Sequence, residues 1–160
     1  MIDKKISRKL KVNLNRKNYV VEPGDEYYPN GIFKFHITKL NEFIDNYPEK
    51  FKIVEIDVNE YHKYFCNGNM NSDYIKSANL KRPVLLAEIA PDRLYNGYPS
   101  ITKDYYSRGY NLIDGHHRLA KAKEEGLVHL KAYLIPMEQH IDFMCEGFDT
   151  YVEYWNSNLK

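Results

Sequence analysis

Residues 111–120 read Asn111-Leu-Ile-Asp-Gly-His-His-Arg-Leu-Ala120, and this stretch decides how the chain is interpreted. The apolar residues at its start predict a strand over Tyr110–Ile113, and the residues after the glycine predict a helix from about Gly115 to Glu125. Gly126 stands where the C′ residue of that helix is expected. The stretch therefore predicts a strand that passes through a tight turn into a helix N-terminus.

The residues at the predicted turn have the chemistry of an anion site. Asp114 is placed as the N-cap, with its carboxylate accepting from the backbone N–H of His116 or His117. Gly115 has no Cβ, so a ligand can come close to the backbone. His116, His117 and Arg118 put basic side chains in the first turn, where the helix dipole disfavours positive charge. A bound phosphate would compensate for this, with the first-turn N–H groups and Arg118 as its ligands.

Structural roles can explain the same residues without a ligand. Asp114 can be a helix cap alone, Gly115 can serve only the turn, and Arg118 can pair with an acid such as Glu88. Neutral imidazoles would also relieve the conflict with the dipole, and one of the two histidines is expected to pack internally. Taken together, however, the residues break the local rules for a helix start, and such failures favour a functional site.

The rest of the chain alternates predicted strands and helices. Turn residues at Pro23-Gly24 and Pro29-Asn30-Gly31 predict short strands or a hairpin over 18–37. Further strands are predicted over 51–56, 83–89 and 128–135, and helices over 39–46 (capped by Thr38), 57–65 (capped by Asp57), 72–80, 137–145 and 150–157. The apolar run at 83–89 predicts a central strand buried on both faces. We expect an α+β fold with a small mixed β-sheet and packed helices, with the motif near the centre of the sheet.

Composition indicates a single soluble domain with a basic N-terminal arm. The chain has 160 residues, of which 43% are apolar and 15 are tyrosines. No apolar run reaches the roughly 20 residues that span a bilayer, and no secretory signal is evident. The two cysteines have no metal-binding or disulfide spacing, and no residues are singled out as metal ligands. We therefore expect a cytoplasmic protein with reduced thiols and no membrane contact. Residues 1–17 hold seven basic residues against one acid. This arm is expected to be a solvated terminus or to contact nucleic acid, and residues 18–160 form the single domain.

A family resemblance rests on three segments of the chain. They are Arg82-Pro-Val-Leu-Leu-Ala-Glu-Ile89, then Tyr110-Asn-Leu-Ile-Asp-Gly-His-His-Arg-Leu-Ala-Lys-Ala122, then Gly126 followed by a strand. This pattern resembles the ParB/sulfiredoxin-like superfamily over residues 51–136, with the specific part confined to 110–126. The resemblance implies a ParB/sulfiredoxin-like fold that binds a nucleotide at the helix start through Gly115, His116, His117 and Arg118.

The branches of that superfamily imply different chemistries. Sulfiredoxins carry a catalytic cysteine where this chain has His116, so repair of sulfinic acid is not expected. Partition proteins of the ParB type bind CTP and clamp DNA with a more arginine-rich turn. Free-serine kinases have an Asp-Gly-His-x-Arg motif, which Asp114, Gly115, His116 and Arg118 match.

The kinase resemblance implies a nucleotide-dependent phosphotransferase or an NTPase. ATP, ADP or CTP would be the nucleotide, with Mg²⁺ as a further cofactor and a small molecule as the acceptor. Asp114 and His116 would be catalytic, and Glu60 is our candidate for the upstream catalytic glutamate of these kinases. The loop at 90–109 would close over the site. The alternative is a non-catalytic DNA-associated or protein-interaction module that uses the basic arm.

Overall fold

Two β-sheets organise the part of the chain that the computed structural model describes, which is residues 8–11, 19–31, 33–66, 70–91, 105 and 109–159. The strands are β1 (Tyr27–Asn30), β2 (Phe33–His36), β3 (Lys52–Asp57), β4 (Val84–Glu88), β5 (Tyr110–Asp114), β6 (His129–Ile135) and β7 (Met144–Glu146). The helices are α1 (Ile37–Asn46), α2 (Val58–Phe65), α3 (Ser72–Ser77), α4 (His116–Glu124), α5 (Met137–His140) and α6 (Phe148–Asn158), with short 3₁₀ helices at Pro48–Lys50 and Ile141–Phe143. The predicted α+β class is confirmed, with two small sheets where one was expected.

The larger sheet has the strand order β3-β6-β4-β5 and is mixed. β6 runs antiparallel to β3 and parallel to β4, and β4 runs antiparallel to β5. All five residues of β4 are buried, which confirms the predicted central strand. The prediction that the motif lies near the centre of the sheet is wrong. β4 already pairs with β6 on one side, so β5 occupies its other side and is the edge strand among the described residues.

The smaller sheet has the order β1-β2-β7 and is antiparallel. β1 and β2 form a hairpin, one of the two arrangements predicted for 18–37, with Asn30 opposite Phe33. The predicted helix over 137–145 is wrong in its last part, since α5 ends at His140 and β7 begins at Met144. Met144 is fully buried and pairs with Phe35, so sheet pairing overrides the helical spacing of the sequence.

Two of the predicted helix caps have different outcomes. Asp57 accepts a hydrogen bond from the Glu60 backbone N–H at 2.9 Å, which confirms the predicted cap of α2. Thr38 is not the cap of α1. The N-cap is His36, whose Nδ1 accepts from the Lys39 N–H at 3.2 Å, because the helix begins two residues earlier than predicted.

The core consists of two clusters on opposite faces of β4. Leu85 and Ala87 belong to the cluster that includes Trp155, and Val84 and Leu86 belong to the other. The first cluster is enclosed by the smaller sheet, α1 and α6, and the second by α2 and α4. Each fully buried large side chain contributes about 1.5–3 kcal/mol to folding. This layering fixes the end of β5 and the start of α4 between two packed cores.

Part of the predicted basic arm packs against α6. The Leu10 backbone donates to Asn156 Oδ1 at 2.8 Å, the Asn156 Nδ2 donates to the Leu10 carbonyl at 2.8 Å, and Trp155 Nε1 donates to the Arg8 carbonyl at 2.9 Å. In the predicted lid, residues 92–104 and 106–108 lie outside the described residues. No helix in the described ranges is long and apolar enough to cross a bilayer.

Candidate functional site

Gly115 forms the turn between β5 and α4, as predicted. Its φ of +104° lies in the left-handed region, and it is the N-cap of α4. A Cβ at this position would lie 2.5 Å from Val84 Cγ1 and 3.0 Å from Arg118 Nη2. Glycine is therefore required here both by the backbone conformation and by the close approach of β4.

The prediction that Asp114 is the N-cap of this helix is wrong. No side chain caps α4, because the left-handed conformation makes Gly115 the N-cap and leaves Asp114 as the last residue of β5. The Asp114 carboxylate instead accepts from Arg118 Nη2 at 3.1 Å and from Asn41 Nδ2 at 3.0 Å. Asp114 thus joins the turn to α1 and to the first turn of α4.

The Arg118 side chain packs against the turn and is only 10% exposed. Besides Asp114, its guanidinium contacts two backbone carbonyls, with Nη1 donating to Arg82 at 3.0 Å and to Pro83 at 2.7 Å. The alternative pairing with Glu88 is wrong, since Arg8 occupies that carboxylate. Burial lowers the pKa of Arg118, against the opposing effect of Asp114.

The two histidines contribute to the site in different ways. The His116 ring stacks on Tyr28, with the ring centres 6.4 Å apart and the planes at 13°. Burial lowers the pKa of His116, despite the raising effect of Asp114, so its imidazole is neutral at pH 7. His117 meets the ring of Tyr74 edge to face at 5.6 Å. A neutral His116 and the Asp114–Arg118 pair together relieve much of the conflict with the helix dipole that the sequence predicts.

The backbone N–H groups in the first turn of α4 have no hydrogen-bond acceptor among the described residues. The first helical hydrogen bond is donated by the Leu119 N–H to the Gly115 carbonyl at 2.9 Å. No described residue accepts from the N–H groups of His116, His117 or Arg118. Such groups carry the positive end of the helix dipole and bind anions well.

These residues form one side of a cleft of about 690 Å³. Its remaining walls come from residues 25–28 before and within β1, from Ile37 and Asn41 of α1, from Tyr74 of α3 and residues between α3 and β4, and from Ile113 of β5. Arg82 and Arg118 provide cationic groups, and Asp25, Glu26 and Asp114 provide carboxylates. The cleft brings together five of the six predicted site residues, which are Asp114, Gly115 and His116–Arg118.

Glu60 is not among the residues that line this cleft. It is exposed in the first turn of α2, where its backbone is bonded to Asp57. The carboxylate that sequence reasoning missed is Glu26, which lines the cleft close enough to act on the charge of Arg118. The sequence marks this region only by the adjacent acids Asp25 and Glu26 after the Pro23-Gly24 turn. No sequence pattern connects these acids with residues 114–118, which are almost 90 positions away.

The cleft brings the uncapped first turn of α4 together with two guanidinium groups and three carboxylates. Within the described residues, no group of three or more His, Cys, Asp or Glu side chains could hold a metal ion by itself. Comparison of the chain with protein-family models, with curated proteins and with solved structures found no match.

Proposed function

We propose that the cleft binds the phosphate groups of a nucleotide, and that the chain is a small nucleotide-binding domain of the ParB/sulfiredoxin-like type. The observation that carries the proposal is the set of free N–H groups of His116, His117 and Arg118, which belong to residues that line the cleft. Three N–H donors at the positive end of a helix dipole favour a phosphate more than a neutral ligand. The Asp-Gly-His-x-Arg resemblance points to the same ligand.

The aromatic residues of the cleft support a nucleotide over a simple phosphate. Tyr27 and Tyr74 are 50% and 63% exposed, and Tyr28 is half-buried against His116. A nucleobase stacked on such a ring gains about 1–3 kcal/mol. The cleft volume of about 690 Å³ lies within the usual range of roughly 300–1,000 Å³ for small-molecule sites.

Transfer of a phosphoryl group is the reaction that these residues could support. The oxygen of an acceptor hydroxyl would attack the terminal phosphorus, the bond to the bridging oxygen would break, and the proton of the hydroxyl would pass to the Glu26 carboxylate. The first-turn N–H groups and the charge of Arg118 would stabilise the charge that develops on the phosphoryl oxygens. Asp114 is the residue that would hold Mg²⁺ together with phosphate oxygens, and His116 would be a neutral donor or acceptor beside them. Glu60 stays the alternative to Glu26 as the residue that accepts this proton.

The non-catalytic module that uses the basic arm has less support. Arg8 pairs with Glu88 and Glu138, so its charge is committed to the body of the protein. Among the described residues of the arm, Lys9 and Lys11 are exposed.

Thermal unfolding with ATP, ADP and CTP, each with and without Mg²⁺, tests the proposal. A ligand at 100 times its Kd stabilises the folded state by about 2.7 kcal/mol, which corresponds to a rise in Tm of roughly 5–10 °C for a chain of this size. A His117→Glu variant places a negative charge beside the N–H groups, and Val128→Glu is its matched control at a residue that is 61% exposed. We expect the shift in Tm to be lost in His117→Glu and kept in Val128→Glu. The proposal is wrong if no nucleotide changes the Tm, or if both variants keep the full shift.

A further inference from the structure

Arg118 is poorly placed to bind an anion directly, although the motif draws attention to it. Its guanidinium already donates to the carbonyls of Arg82 and Pro83 and to the Asp114 carboxylate. A ligand that took over these donors would leave part-buried carbonyl oxygens without a partner, which is costly. Arg118 therefore has the contacts of a residue that holds the turn in place.

Arg82 has the opposite character in the same cleft. Its side chain is 33% exposed, and its Nη1 donates to Asp45 Oδ1 at 2.9 Å. Asp45 is itself 58% exposed, and ion pairs between exposed groups contribute little net stability. The guanidinium of Arg82 can therefore exchange Asp45 for a phosphate with little loss.

Asn41 connects the two arginines. Its Oδ1 accepts from Arg82 Nη2 at 2.7 Å, and its Nδ2 donates to Asp114 Oδ2 at 3.0 Å. The backbone of Arg82 is held by Arg118, whose Nη1 donates to the Arg82 carbonyl. An asparagine is suited to this position because it offers an acceptor to the arginine and a donor to the carboxylate at the same time.

We propose that Arg82 is the side chain that binds the phosphate group directly, in competition with Asp45, and that Asn41 is the residue that positions it. This inference rests on the proposed function, since it assigns the side-chain ligand of the same cleft. Arg118 then acts through the backbone of Arg82 and through Asp114. A planar guanidinium with an exposed side fits a phosphate through two parallel hydrogen bonds, which a lysine cannot reproduce.

Calorimetric titration of the full chain with ATP and with pyrophosphate tests the assignment. We expect Arg82→Gln to raise the Kd by at least about tenfold, the loss that corresponds to one charge-assisted contact. Lys81→Gln is the matched control, because it removes the same charge from the neighbouring exposed residue, and its Kd is expected to change by less than about twofold. Asp45→Asn is expected to tighten binding, because it removes the competitor of the phosphate.

The role of Asn41 is tested by combining variants. Asn41→Leu is expected to raise the Kd when Arg82 is present and to have no further effect in the Arg82→Gln background. A purely structural role of Asn41 would produce the same loss in both backgrounds and would contradict its assignment.

The outcomes separate the two proposals. If the wild-type protein binds neither ATP nor pyrophosphate, the proposed function and this inference both fail. If the wild type binds but the Kd of Arg82→Gln stays within about twofold of the wild-type Kd, only the inference is overturned. The same holds if Lys81→Gln raises the Kd as much as Arg82→Gln does. Weaker binding by Asp45→Asn would also overturn it, because the competition would then be absent.

Discussion

Asp114 Oδ2 accepts a hydrogen bond from Arg118 Nη2 at 3.1 Å, four residues further along the chain. This contact holds the guanidinium of Arg118 against the β5–α4 turn. It also gives the basic first turn of α4 a negatively charged partner. The groups that we propose for the ligand are the backbone N–H groups of His116, His117 and Arg118 and the side chain of Arg82. The cleft therefore depends on the Asp114–Arg118 contact for its shape more than for its ligands.

Gly115→Ala is predicted to destabilise the protein strongly. The new Cβ would lie 2.5 Å from Val84 Cγ1 and 2.8 Å from Val84 Cβ, at a φ of +104°. Backbone strain of about 1–3 kcal/mol and a similar cost for overpacking together predict a loss of roughly 2–6 kcal/mol in the free energy of unfolding. Urea denaturation monitored by circular dichroism measures this loss.

Gly24→Ala is the control for the backbone contribution. Gly24 has a φ of +91°, and a Cβ there would have no atom within 4 Å. Its loss of stability should therefore be limited to the strain of about 1–3 kcal/mol. Equal losses in the two variants would show that the approach of Val84 is unimportant.

Arg8→Met is predicted to lower the free energy of unfolding by about 3–5 kcal/mol, because it leaves a buried carboxylate without its partner. The Glu88 side chain is 5% exposed, and Arg8 Nη2 lies 2.5 Å from its Oε1. Burial would lower the pKa of Arg8, but its hydrogen bonds to Glu88 and Glu138 raise that pKa above its ordinary value, so the arginine is charged.

Two further variants test this explanation by denaturant unfolding. Lys9→Met changes an exposed neighbour of Arg8, and its free energy of unfolding is expected to stay within about 0.5 kcal/mol of the wild-type value. Arg8→Met combined with Glu88→Gln is expected to recover much of the lost stability, because no uncompensated charge then remains. A double variant as unstable as Arg8→Met alone would show that lost packing on Trp155, not the ion pair, is responsible.

His140 predicts a loss of stability in mild acid. Burial lowers the pKa of His140 to about 4, and its Nε2 contacts the Glu88 carbonyl. In the unfolded chain the pKa is about 6.5. Between these values the unfolded state binds more protons than the folded state. The contribution of His140 to the free energy of unfolding is therefore fully present above pH 6.5 and is lost as the pH falls towards 4.

The expected slope is about 1.4 kcal/mol per pH unit between pH 5 and 6, which denaturant unfolding at several pH values measures. His116, whose pKa burial also lowers, adds a smaller effect of the same sign. His140→Gln keeps an N–H donor for the Glu88 carbonyl and should remove most of the slope. An unchanged slope in that variant would assign the pH dependence to other groups.

Glu26→Gln is predicted to reduce nucleotide hydrolysis at least tenfold, because it removes the proposed proton acceptor from the cleft. Glu60→Gln is the comparison, since Glu60 is exposed on α2 and does not line the cleft. Release of inorganic phosphate from ATP, with water as the acceptor, measures both variants. The reverse order of effects would restore Glu60 as the catalytic glutamate, while equal rates in all three proteins would exclude both residues.

The strand, the turn and the helix of the motif could be predicted because their signals are local. Apolar residues in Tyr110–Ile113 and the glycines at positions 115 and 126 mark the ends of the two elements. Gly126 lies at the C′ position with a φ of +75°, and the Leu127 N–H bonds to the Ala122 carbonyl at 2.9 Å, as the spacing predicts.

The roles of the side chains could not be predicted in the same way, because they depend on contacts that are distant in sequence. Asp114 is not the predicted cap because Gly115, whose left-handed backbone lies close to Val84 of another strand, takes the N-cap position. Arg118 meets carbonyls at Arg82 and Pro83, which no local pattern connects with it. Glu26 reaches the cleft only through the hairpin that precedes α1.

The most direct test of the proposed nucleotide site is an NMR titration of the ¹⁵N-labelled protein with ATP, ADP and CTP. Because the phosphate is proposed to accept from backbone N–H groups that have no acceptor among the described residues, the amide signals of His116, His117 and Arg118 are predicted to show the largest shifts on saturation. These three signals should stay unchanged when adenosine, which lacks phosphate, is added instead. If millimolar nucleotide leaves the three amides unmoved, or moves only residues such as Lys9 and Lys11, the cleft is not a nucleotide site.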